Sequence, residues 1–499
     1  MNMKFLAWLV LLAVLFLSSP VASPAPLPTD AQTISVASHQ AGPTPFISFL
    51  SLVSHGPFSD IASIRFTITP KPGSFTRPIS VIYSRSYLQS RGYLDPRTRN
   101  LILPVFGLYA NYSNTVVVNY SFTRHKPQQQ NIVVPTGSFS DPCGFNNRIA
   151  IQARTNSTTL SYDYMLLKNA CGDFSPTILD TDGEIRWVGT AGLAYFASTM
   201  FQNAVYLGNG PNLYRMEFDG AVSVAATYPN GGTAHHNIDY GKVGMILDED
   251  VPGQIESFNA EVDAQGNVLK VWSLAAIITD AMIAGGDDPS QFVYPAPTDW
   301  FHNNAVAYRR SDDSLVISSR ENFVICIDYA TGAIKWILGD PTKKWYQFPS
   351  LRQYALALAP NSLPPIGQHA VSFTADDKLL LFDDGRGSLF QTPPGDDRTY
   401  SAPRKYQLDL TTKVATEEWN YPNGQTLYSP FCSSVYEDSP LNYLVDYSII
   451  SNLGPIYMEL LGLDASGAKI FDYRYLTSGC DDAWNAIPIH LENLQFTAP

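Results

Sequence analysis

Four histidines in three short segments are the residues best suited to chemistry in this chain. They are His235 and His236 in T-A-H-H-N-I-D-Y, His302 in T-D-W-F-H-N-N-A-V-A-Y, and His369 in P-I-G-Q-H-A-V-S-F. Each segment runs from small or polar residues to histidine and then into an alternating apolar stretch that reads as a strand. Arg320 ends another such run, D-S-L-V-I-S-S-R, the return partner of the strand that begins at His302. Its planar fork of donors suits a tetrahedral oxyanion such as sulfate or phosphate; the structural alternative is an ion pair to Asp383 or Asp384. A neutral imidazole can attack sulfur or phosphorus while other imidazoles and a guanidinium hold the charge on the transferring group. A metal is not expected, because no H-x-x-x-H or H-x-H spacing occurs and Arg320 would repel a cation.

Positioning these residues requires a repeating scaffold, and a weak repeat is present beyond residue 150. Five copies combine a strand, a turn holding Asp and Gly, and a second strand: T-D-G-E-I-R-W at 181–187, E-F-D-G-A-V at 217–222, V-D-A-Q-G-N-V-L-K-V-W at 262–272, I-D-Y-A-T-G-A-I-K-W at 327–336 and L-D-A-S-G-A-K-I-F at 463–471. A sixth, L-D-L-T-T-K-V-A-T-E-E-W at 408–419, has Thr in place of the Gly. Each reads as a hairpin whose turn supplies positive φ cheaply. Six hairpins imply an all-β, six-bladed propeller over 150–499, in which the first strands line a central channel and the histidines at their starts meet at one mouth. The 36 prolines argue against long helices, and only Leu274 to Ile283 reads as helical. Short alternating runs over 46–140 predict a small N-terminal β-sandwich, and the Pro-, Ser- and Thr-rich residues 24–45 a linker.

The first 23 residues have the pattern of a signal peptide: Lys4, an apolar core from Phe5 to Phe16, then small and polar residues with Val21 and Ser23 suiting a cleavage site. A secreted or periplasmic location follows, with no membrane span after signal removal. Cys143 with Cys171 and Cys432 with Cys480 are then candidate disulfides, and Cys326 a buried strand thiol. Asn111, Asn119 and Asn156 open glycosylation sequons. The net charge of −13 disfavours a nucleic-acid partner.

D-W-F-H-N-N-A-V-A-Y, S-L-V-I-S-S-R, I-K-W-I-L-G-D-P, G-Q-H-A-V-S-F and L-F-D-D-G, in that order, resemble the arylsulfate sulfotransferase family over most of residues 160–440. The resemblance implies a cofactor-free ping-pong reaction, in which a phenolic sulfate ester passes its sulfuryl group to a histidine and a second phenol collects it. It implies His369 as nucleophile, and His302, Asn304 and Arg320 as residues that bind the sulfuryl group. The remaining catalytic histidine falls at His236, with His235 beside it as a substrate-binding residue and an open alternative. Two departures stand out. Residues 340–368 lack the cysteine pair that some bacterial members carry before the nucleophile, so that loop must be held differently. Asn237 follows the histidine pair where the family often has Asp, leaving Asp239 to orient the imidazole.

The expected partners are small phenolic donors and acceptors, with room for a homodimer. A sulfate or phosphate ester hydrolase using water on the same site, and a non-catalytic ligand-binding propeller, are the other readings; product analysis with and without added phenol separates them. A quinone-dependent dehydrogenase lacks support, since neither its repeat nor a calcium-binding acidic cluster is present.

Overall fold

A computed structural model describes residues 32–498 apart from positions 96, 98, 99, 156 and 157. The signal peptide at 1–23, the first part of the expected linker and the Asn156 sequon lie outside the described residues. The chain forms a large, mostly β region preceded by a small N-terminal β region.

Six sheets, each built on a meander of four antiparallel strands, follow one another in the large region. Their first strands are Asn485–Ile489, Ser198–Phe201, Thr233–Tyr240, Asn303–Arg309, His369–Phe373 and Ser434–Glu437. The first of these comes from the C-terminal end of the chain and pairs antiparallel with Tyr164–Lys168, so the two ends of the region share one sheet. Ile149–Gln152 likewise adds an outer strand to the last sheet.

All six repeat hairpins join the third strand of a sheet to its fourth. In five of them the motif's Asp carboxylate accepts from backbone N–H of the turn, as Asp263 does from Gln265 and Asn267 at 2.9 Å each and Asp328 from Thr331 at 2.8 Å; in the first, Asp180 just before the motif does so, from Glu184 at 2.9 Å, while Asp182 accepts from Thr76 N at 2.9 Å. A short acceptor placed here satisfies turn amides that no ladder reaches. Gly183, Gly220, Gly266, Gly332 and Gly467 take the positive φ. In the sixth hairpin that position falls on Lys413, at φ 54°, rather than on a threonine.

The N-terminal part consists of two sheets on a shared core that includes Leu50, Ile64, Phe66, Leu103 and Val118. Two sequence expectations need correction here. Ile34–Ala41, inside the supposed linker, is a strand paired with Ile47–Ser54; its alternation is hidden by small polar residues on an exposed edge. Residues 494–496 do not close the large region but pair parallel with Val81–Tyr83 of the N-terminal part, because Leu494 and Phe496 fill its core. The same core continues into the first two large-region sheets, where Phe106 stacks on Phe218 at 4.6 Å and Arg186 donates to the Gly107 carbonyl at 2.7 and 3.0 Å. The expected helix is present as Leu274–Ala284, capped by Ser273; Arg85–Ser90 and Pro349–Arg352 are short, unforeseen α-helices. Among the described residues no helix is long and apolar enough to cross a membrane.

Candidate active site

Each of the three histidine segments carries a β-bulge at or just after its histidine. The register shifts between Ala234 and Ile238, between Asn303 and Ala305, and between His369 and Ser372. His302 at φ 54° and Ala370 at φ 53° adopt left-handed backbone to make these turns. A bulge bends the strand and re-aims its side chains, and here it brings residues from three sheets to one place. His236 Nε2 lies 2.8 Å from His302 Nε2. Arg320 N donates to the His302 carbonyl at 3.0 Å, which seats the arginine beside that histidine.

A cavity of about 260 Å³ is lined by His236, His302, His369 and Arg320, with Asp299 and Glu321 beside them. Leu389, Phe390, Phe431 and Trp484 form its apolar walls. Trp484 packs 4.5 Å from the His236 ring and 5.4 Å from that of His369, and stacks on Phe196 at 5.0 Å. The Cys432–Cys480 disulfide also lines the cavity and ties the Phe431 turn to the segment carrying Trp484. Cys143–Cys171 is the second disulfide, and Cys326 is a buried free thiol, as the sequence suggests.

His369 Nδ1 lies 3.1 Å from the Gly367 carbonyl and 2.7 Å from Asp384 Oδ2. A carbonyl only accepts, so Nδ1 carries the proton and the Nε2 lone pair is left free. Burial, with Arg320 and the other two histidines nearby, holds the His369 imidazole well below its usual range, so it is neutral. Burial drives the Asp384 carboxyl well up, and Arg320 pulls it back. Arg320 is 2% exposed and pairs through Nη1 with Glu321, leaving buried Nε and Nη2 without partners. Neither Asp383 nor Asp384 forms an ion pair with it; Asp383 is taken by Arg398 and Arg404.

Glu256 is the hub of the histidine pair. Its carboxylate lies 2.7 Å from His235 Nε2, 3.2 Å from His236 Nε2 and 2.8 Å from His302 Nδ1. Asp299 Oδ2 lies 2.5 Å from the same His302 nitrogen. Burial opposes charge on His302, but Glu256 and Asp299 outweigh it and raise the imidazole to about 9. His235, facing Asp250 and Glu256, is likewise raised against burial to about 10. His236, dominated by burial, is lowered to about 3 and is neutral. Two groups, His235 with His236 and Glu256, and Glu256 with Asp299 and His302, gather ligand atoms within 4.8 Å of one another and could hold a cation. A search by spacing passes over them because their members come from separate strands and loops. The protonated imidazoles meet the same carboxylates.

His235 and Asn304 are not among the cavity-lining residues. His235 is held behind His236 by its two acids, and Asn304 Nδ2 donates to the Gln368 carbonyl at 2.9 Å, clamping the backbone before His369. Asp239 does not orient a histidine; it accepts from Asn237 at 3.0 Å and from Val306 N at 2.8 Å. The cysteine-free loop is held by buried Lys343, which donates to the carbonyls of Arg320 and Glu321 at 3.2 Å each. Glu256, Glu321 and Asp384 escaped the sequence reading as partners of the histidines or as site residues. Asp299, at i−3 from His302, and Asp384, in L-F-D-D-G, stood in segments already singled out; Glu256 left no such signal.

A mostly β chain with a buried cluster of imidazoles and one guanidinium, two of whose three nitrogens are without partners, has a site suited to an oxyanion. The chain belongs to the arylsulfotransferase (ASST) family, whose family model matches residues 150–470; that of the arylsulfotransferase Ig-like domain matches residues 48–137. It is 22% identical over 541 aligned positions to the arylsulfate sulfotransferase AssT of Lelliottia amnigena, covering 84% of this chain and 86% of that one. It is also 22% identical over 482 positions to the protein of that name from Escherichia coli, covering 75% and 79%. A solved β-propeller domain of Myceliophteria thermophila Cps50 (Swd1) covers 66% of this chain and 100% of its own at 10% identity; with a TM-score of 0.32 it carries no argument about the fold.

Proposed function

We propose that this chain moves a sulfuryl group from a phenolic sulfate ester to a phenolic acceptor through a sulfohistidine at His369. The observation that carries the reading is a neutral, buried imidazole with a fixed Nδ1 proton beside a guanidinium with two free donors. His369 Nε2 attacks sulfur, the N–S bond forms and the S–O bond to the ring breaks. The departing phenolate takes a proton from protonated His302, directly or through the His236 contact. Arg320 Nε and Nη2 take the equatorial sulfuryl oxygens as charge grows there. Asp384 lies where the imidazole ring becomes positive. In the second half the acceptor phenol returns its proton to the histidine pair, its oxygen attacks sulfur, and the N–S bond breaks. No diffusible carrier or cofactor enters this balance.

In this reading the six sheets are the blades of a six-bladed propeller closed by Asn485–Ile489, the residues before or within their first strands ring one mouth of the channel, and the N-terminal part is a β-sandwich. Export to the periplasm or outside the cell accords with the signal pattern at 1–23 and with two disulfides. The test is phenol release from a chromogenic aryl sulfate by the protein and by His369→Ala, each with and without a second phenol. Acceptor-dependent release that yields the acceptor's sulfate ester and vanishes in the variant supports the reading. Release of free sulfate without acceptor replaces it by ester hydrolysis.

A further inference from the structure

Glu321 joins the guanidinium to a ridge at the mouth of the cavity. One of its oxygens pairs with Arg320 Nη1; the other accepts from Ser388 Oγ, from Leu389 N at 2.7 Å and from Phe390 N at 3.1 Å. Ser388 Oγ in turn accepts from Gln391 N at 2.8 Å, so the tight turn hangs on a buried carboxylate. Burial opposes its charge, yet Arg320, Ser388 and Lys343 keep the Glu321 carboxyl below its usual range. The turn holds Leu389 and Phe390 at 53% and 56% exposure on the cavity wall. Large apolar side chains held in water by a buried ion pair are costly unless something covers them. Phe431 lines the same cavity, its ring under the Arg320 guanidinium at 4.8 Å.

We infer that Glu321 is a positioning residue that sets Leu389 and Phe390 as one wall of an aryl slot, which Phe431 also lines, in fixed register with Arg320. The occupant is a flat ring bonded directly to an oxyanion: ring and sulfuryl group are recognised as one rigid unit, and a bicyclic aryl group, reaching further across the ridge, gains more than a single ring. The inference rests on the sulfuryl-transfer reading above.

The test uses 4-nitrophenyl sulfate and 4-methylumbelliferyl sulfate as donors at saturating phenol, with inorganic sulfate as a competitive inhibitor. Phe390→Ala, an exposed and structurally harmless change, is expected to raise KM about tenfold for the bicyclic donor and about threefold for the single ring. Its kcat and sulfate inhibition constant should stay within about threefold, a split that general loosening of the site would not give. Glu321→Gln, which cannot serve both Arg320 and the turn amides, is expected to flatten the preference between donors in the same way. An active wild type whose KM values move less than twofold in Phe390→Ala overturns the slot. A wild type that releases no phenol from either donor overturns the sulfuryl-transfer reading itself.

Discussion

Replacing the Asp384 carboxyl by an amide should slow the first half-reaction without unfolding the protein. When His369 Nε2 bonds to sulfur, its ring becomes cationic, 2.7 Å from Asp384 Oδ2. At an effective dielectric near 20, unit charges at that separation interact by about 6 kcal/mol, an upper figure because burial raises the Asp384 carboxyl and opposes its ionised form. The Gly367 carbonyl still holds the Nδ1 proton in Asp384→Asn, so tautomer and ring orientation survive, and roughly half of that stabilisation is lost. About 2–4 kcal/mol corresponds to a slowing of about 30- to 1,000-fold. Stopped-flow measurement of the phenol burst isolates this step from acceptor sulfation, and near-UV circular dichroism checks the fold. A burst rate within threefold of wild type would mean that His369 needs no anion behind it, and would refute an ionised Asp384 as the partner of the cationic ring.

His302 is protonated up to about 9, so the phenol burst should decline above that pH as the leaving phenolate loses its proton source. The same shift fixes the sign for stability. A folded-state value above the unfolded 6.5 gives a contribution complete below about 6.5 and lost as pH rises through about 9, which thermal melts across pH 6 to 10 will read. Cys432→Ser should lower kcat/KM about tenfold or more by freeing Phe431 and Trp484, whereas Cys143→Ser, remote from the cavity lining, should lower Tm with kcat/KM kept. Lys413→Gly should raise stability by about 0.5–1 kcal/mol, since lysine there holds a left-handed φ of 54°, measurable by denaturant titration.

The parts of the fold legible in the sequence were those written locally. Asp263 with Gly266, or Asp328 with Gly332, marks a turn with its own hydrogen-bond acceptor and its own permissive residue, so six hairpins could be counted and each falls between two strands. The histidine segments were legible for the same reason, as each lies next to the strand that positions it. Glu256 was not, because its meaning comes from His235, His236 and His302, brought to it from two sheets. Glu321 adjoins Arg320 in sequence, but its second oxygen serves a turn 67 residues away. Ile34–Ala41 and Leu494–Phe496 are edge strands whose partners, not their composition, make them strands.

The three bulges separate the integrity of the sheets from possession of the site. Phe373 and Leu379 pair in regular register beyond the irregularity at His369, so the sheet below does not depend on it. Losing one residue at Ala370 would let the strand zip up and turn His369 to its other face. Such a chain would keep its hydrophobic core and its stability while losing its nucleophile. Descendants of this architecture can therefore become well-folded proteins without catalysis by a single codon deletion, and an intact histidine count would not reveal the change; only the spacing from histidine to strand would.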